Sequence, residues 1–274
     1  MQTAIKKTPI LTFFILSFVI TWIGSLLYYL ATPAGGQALP AALNFPSALL
    51  WYYGPCLSAI IVTLANKGRS GLGNLWQRYL IWNVGWVWYA FIILYPLLLH
   101  LVVVGLAWLF GGQKPVFFQA EGVPQGNLWL TLVGLMLFQI FVRGIGEETG
   151  WRGFALPHLQ SRFSPLSASL LLGVLWGLWH FHPANFSAVL SPGGFFIFLN
   201  ILATTIIFTW VYNHTQGSLL IAALFHMTLN VAEFCIPIGI ADAGFTRHLI
   251  QIAFTTLLVA VLVFTSGKQL GYKA

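Results

Sequence analysis

Residues 128–160 read LWLTLVGLMLFQIFVRGIGEETGWRGFALPHLQ. The stretch is free of charge up to Arg143, then carries Glu147, Glu148 and Arg152, and stays largely apolar until Ser164-Pro165. At about 1.5 Å per residue a helix over it is roughly 49 Å long, more than the ~30 Å of a bilayer's hydrocarbon. A span ending at Arg143 would leave the two glutamates as solvated interfacial charges. The apolar sequence after them argues instead that the acidic pair sits inside the helix. Ionisable groups held within a membrane are costly and mark function.

The whole chain agrees with a membrane reading. Of 274 residues, 58% are hydrophobic and only 6% charged, whereas soluble domains carry roughly 25% charge. Mean hydropathy is +0.85. Intrinsic disorder is excluded by the same richness in apolar residues. Two cysteines make neither a disulfide framework nor a zinc ribbon. The net charge of +7 is scattered, so it forms no nucleic-acid patch.

Apolar runs near spanning length extend from about Pro9 to Leu30, Pro46 to Ala65, Trp86 to Phe110, Leu128 onward, Pro165 to His182, Phe195 to Tyr212, Ser218 to Ile236, and Leu249 to Phe264. The expectation is an all-α, polytopic membrane bundle of about eight helices, filling residues 1–274 as one domain, with 128–235 as its chemical core. The first run is longer than a signal-peptide core and no cleavage site follows, so it reads as a span. With the N-terminus inside, Lys6, Lys7, Lys67, Arg69, Arg78, Arg162, Lys268 and Lys273 fall on the inner side, against Lys114 and Arg247 outside. That bias puts both termini in the cytoplasm. The Trp-rich stretch Leu72 to Trp88 reads as an interfacial anchor.

The chain has five acidic residues: Glu121, Glu147, Glu148, Glu233 and Asp242. Glu121 and Asp242 fall in outer loops. The i,i+4 rule pairs Arg143 with Glu147 and Glu148 with Arg152. A turn at about Ser161–Pro165 makes the next helix an antiparallel neighbour. Glu147 lies about 13 residues before that turn and His180 about 15 after it, so both stand roughly 20 Å from it, at one level. Trp176 and His180 share a helix face, as do His226 and Asn230. His182, beside Pro183, reads as a contact with the outer headgroups. His100, His158, His214 and His248 read as packing or interfacial residues. Glu233, one turn beyond Asn230, has no assigned role.

A carboxylate, two histidines and an amide in an apolar cavity suit amide hydrolysis. The carboxylate serves as general base, with a histidine helping to position the water. The second histidine and the amide donate to the developing oxyanion. Glu147, His180 and His226 equally form a possible zinc set with an open water position, and the sequence leaves both routes open. Other intramembrane hydrolases fit poorly. There is no His-Glu-x-x-His, no Gly-x-Ser-x-Gly, and a single aspartate rules out an aspartyl dyad.

The same residues resemble the signatures of the CPBP (or Abi) intramembrane proteases, the type II CAAX prenyl endopeptidases and their bacterial relatives. Glu147, Glu148 and Arg152 meet Glu-Glu-x-x-x-Arg; His180 meets the histidine of Phe-x-x-x-His, with Trp176 where the family has Phe; His226 and Asn230 meet His-x-x-x-Asn. The resemblance implies an endopeptidase acting on a membrane-associated peptide or protein, in some members a lipidated one. It implies Glu147 and His180 as water-activating groups, His226 and Asn230 as the oxyanion site, and Glu148, Arg152 and the aromatic Trp176 as support. The Phe-to-Trp change keeps an aromatic wall and touches specificity more than catalysis. The short loops resemble bacterial relatives of the inner membrane, some linked to bacteriocin self-immunity, which makes a non-proteolytic immunity or scaffold protein the alternative.

Overall fold

A computed structural model describes residues 7–33, 38–112, 114–115, 117–118, 127–182, 191–238 and 244–272. The expected loop acids Glu121 and Asp242 lie outside the described residues. Eight principal helices occur among those described: α1 (Pro9–Ala31), α2 (Asn44–Gln77), α3 (Trp86–Leu109), α4 (Leu128–Gln160), α5 (Pro165–Trp179), α6 (Pro192–His214), α7 (Leu219–Cys235) and α8 (Gly244–Ser266). Six helical stretches are long and apolar enough to cross a membrane, and α5 and α7 are shorter apolar helices. The protein is an all-helical, multi-pass membrane bundle.

Its side-chain pattern is that of a membrane protein. On α1 the large apolar residues Leu11, Ile15, Val19 and Ile23 recur every fourth position and are exposed. The opposite stripe, Ser17, Thr21 and Ser25, is small and buried. In lipid, apolar side chains gain nothing by leaving the tails, so close backbone packing and interhelical hydrogen bonds hold helices together. Accordingly α1 lies along α2, and the Thr21 hydroxyl donates across to the Trp51 carbonyl at 3.1 Å.

The second helix runs further than the apolar run from Pro46 to Ala65 suggested. It passes through Gly68, whose backbone (φ 63°, ψ −158°) redirects the chain before the helix resumes to Gln77. A left-handed φ costs an L side chain strain that glycine escapes. The expected interfacial stretch is thus part helix, part 3₁₀ turn (Arg78–Leu80) and part loop. Its Trp76, Leu80, Trp82 and Trp86 are exposed, as an interfacial belt requires.

The fourth helix is continuous from Leu128 to Gln160, and is wound in π fashion over Gln139–Gly144 and Trp151–Ala155. Between these lies the regular turn Ile145–Gly150, which carries the glutamate pair. This segment packs on α2 on one side, while α7 packs against α4's first π turn and also against α3.

Candidate active site

Gly146 and Gly150 set the position of the acidic pair. A Cβ at Gly146 would come within 2.6 Å of the Tyr52 carbonyl oxygen, and one at Gly150 within 2.6 Å of the Pro55 carbonyl oxygen. Glycine alone therefore lets the α4 backbone rest on α2, as small residues four apart do in membrane helix pairs. Glu147 and Glu148 turn instead toward α5 and α7, and both are buried.

Their partners come from those two helices. The Trp176 indole N–H donates to Glu147 Oε2 at 2.9 Å. His226 Nδ1 donates to Glu148 Oε1 at 2.7 Å, and its Nε2 lies 3.8 Å from Glu147 Oε1. Glu148 Oε1 also accepts from Arg152 at 3.0 Å. The Arg152 guanidinium is fully buried and lies between the rings of Trp176 (4.2 Å) and Phe208 (4.0 Å). A desolvated cation over an aromatic face is attracted by the ring quadrupole. His180 donates through Nδ1 to the Trp176 carbonyl at 2.7 Å, because a carbonyl can only accept. This bond fixes the ring's tautomer.

Glu147, Trp176, His180, His226 and Asn230 line one cavity of about 380 Å³. Asn230 donates through Nδ2 to Gln139 Oε1 at 3.0 Å, which orients the amide. The expected i,i+4 bond between Glu148 and Arg152 is present. The expected pair of Arg143 with Glu147 is not among the ion pairs of the described residues. Arg143 lies 5.2 Å from the centre of the Tyr52 ring, because it falls in a π turn, where the i→i+5 pattern breaks the i,i+4 relation. His182 does not project to headgroups. It is buried edge-to-face against Trp51 at 4.7 Å.

Two groups prove more connected than their sequence context showed. His100 places Nε2 3.1 Å from Glu233 Oε2 and Nδ1 2.7 Å from the Pro96 carbonyl, and both His100 and Glu233 line the same cavity. His248 lines it too. The adjacency of α3 and α7 that joins His100 to Glu233 leaves no local mark in the sequence. Trp176 did carry a signal, since an indole differs from a phenyl ring by a hydrogen-bond donor. As to zinc, no group of three or more His, Cys, Asp or Glu side chains is gathered for a metal among the described residues.

Comparison with known proteins meets the same helices. Residues 128–232 match the family model described as Type II CAAX prenyl endopeptidase Rce1-like. The chain is also 28% identical over 249 residues to the CAAX prenyl protease 2 of Methanococcus maripaludis, an alignment covering 85% of this chain and 86% of that protein. By its motifs and by both comparisons, the chain is similar to the Rce1-like, CAAX-protease-like membrane endopeptidases.

Proposed function

We propose that the chain hydrolyses a peptide bond of a membrane-associated peptide or protein with a water activated by Glu147 and positioned by His180. The observation that supports this is one cavity in which Glu147 is held by the Trp176 N–H while His226 stands between the two glutamates. Glu147 takes a proton from the water, whose oxygen attacks the scissile carbonyl carbon. The Asn230 amide, and His226 Nε2 with the ring in its doubly protonated form, face the oxygen on which charge develops, and donors pre-aimed at such an oxyanion are worth several kcal/mol. The proton on Glu147 then passes to the leaving nitrogen as the C–N bond breaks. Glu148 and Arg152 hold the His226 ring and touch no reacting atom.

The substrate class is a peptide whose end lies at the bilayer, with a lipidated C-terminal segment the first form to test, since the archaeal relative is named a CAAX prenyl protease. The placement in a bacterial inner membrane rests on the resemblance to compact bacterial relatives. The test is cleavage of quenched peptides, prenylated and unmodified, by detergent-purified protein. Wild type is compared with Glu147→Gln and His180→Ala, with and without chelator. Loss of cleavage in both variants is expected. Full cleavage in Glu147→Gln would overturn the assignment, and loss on chelation would move the water onto a metal.

A further inference from the structure

A second cavity, of about 420 Å³, opens at the opposite end of α4 from the entry of that helix. It lies between the start of α1, the last part of α2 and the final turns of α4. Lys67, Arg78, His158 and Asn74 line it, and no aspartate or glutamate does. Two of these, Lys67 and Arg78, are cations.

Arg78 is not a loose surface charge. It is half-buried, and its Nη1 donates to the Gly153 carbonyl at 3.1 Å and the Tyr212 hydroxyl at 2.7 Å. Both acceptors are neutral. Among the ion pairs of the described residues, none involves Arg78, Lys67 or Arg162. The break at Gly68 turns the end of α2, and Gly71 leaves room where a Cβ would strike the Lys67 side chain. The apolar wall of the cavity is formed by Leu75 and Phe154.

The geometry points to a binding site for the phosphate group of an anionic phospholipid, held by Lys67 and Arg78 with its glycerol end against Leu75 and Phe154. Three features favour a lipid over a free ion. The cavity is at helix ends, where headgroups lie. Its cations belong to the end of the bundle with the basic excess, and basic pockets between membrane helices bind anionic headgroups. It also joins a charged floor to an apolar wall, which an inorganic ion does not use. The guanidinium fork and the ammonium point charge are the two groups that recognise phosphate. This site is separate from the hydrolytic cavity and does not depend on the chemistry proposed there.

The experiment is lipid retention by native mass spectrometry of the full chain, released from nanodiscs with equal amounts of phosphatidylglycerol and phosphatidylcholine. A parallel arm adds inorganic phosphate in detergent without lipid. Wild type should retain phosphatidylglycerol preferentially. Lys67→Glu should reduce that preference by more than about fivefold, the factor one interfacial cation contributes. Lys268→Glu, a cation that does not line the cavity, should leave it unchanged. Lys67→Gln, a milder change, should lower it in the same direction. Equal retention of both lipids by wild type, or equal losses in Lys67→Glu and Lys268→Glu, would overturn the site. Stoichiometric binding of inorganic phosphate with no lipid preference would overturn the lipid as its occupant.

Discussion

Replacing Arg152 by Met tests whether the glutamate pair is held by charge. Arg152 and Glu148 are both fully buried and 3.0 Å apart. Removing one partner of a buried pair leaves an uncompensated charge and costs about 3–5 kcal/mol. The lost cation–π contacts with Trp176 and Phe208 add to this, but Met sulfur over the same rings restores about 0.3–1.5 kcal/mol. The expected cost therefore stays near 3–5 kcal/mol, which is about two to three and a half decades in the folded-to-unfolded ratio. The double variant Glu148→Gln, Arg152→Met removes both charges, and should recover more than half of that loss, since replacing a whole buried pair is often close to neutral. The assay is reversible unfolding of the purified protein in mixed micelles, read for wild type, both single variants and the double. A wild-type midpoint for Arg152→Met would refute the pairing. A double variant no more stable than Arg152→Met would show that the loss is one of packing.

Trp176→Phe should lower kcat by about ten- to a hundredfold with KM little changed, because a hydrogen bond to a charged group contributes about 1.5–3 kcal/mol and this one positions Glu147; single-turnover cleavage measures it. Gly150→Ala should destabilise the bundle by more than 1 kcal/mol, since its Cβ would press on the Pro55 backbone and small-to-large changes at close packing cost about 1–3 kcal/mol; thermal unfolding in detergent checks it. Gln139→Leu removes the acceptor of the Asn230 amide. It should slow cleavage of every substrate by a similar factor without altering substrate binding, which a kcat against KM comparison reads.

Much of the fold was legible because each helix is marked by its own apolar run, and the continuity of α4 through the acidic pair followed from the apolar sequence beyond it. The shared level of Glu147 and His180 was a matter of counting residues from one turn, and both do line one cavity. Rotation about the helix axes was not legible. It decides that Trp176 meets Glu147, that His226 bridges toward both glutamates, and that Arg143 points to Tyr52. The π turns of α4 pack on α2 and α7, and no local pattern encodes them. The reading of His100 as a packing or interfacial residue missed its pairing with Glu233 for the same reason, since their helices are distant in sequence.

The π turns of α4 also govern how this chain can change length. Each is a point where the helix carries more backbone per turn than its neighbours. Deleting one residue within Gln139–Gly144 would let an α-helix run through. Because a π turn takes up its extra residue within one turn, the entry segment Leu128–Phe138 would keep its phase about the axis. The pair would stay put, because Gly146 and Gly150 anchor it to α2 independently. Single-residue gaps between related chains should therefore gather at these two turns, and the six residues from Ile145 to Gly150 should admit none.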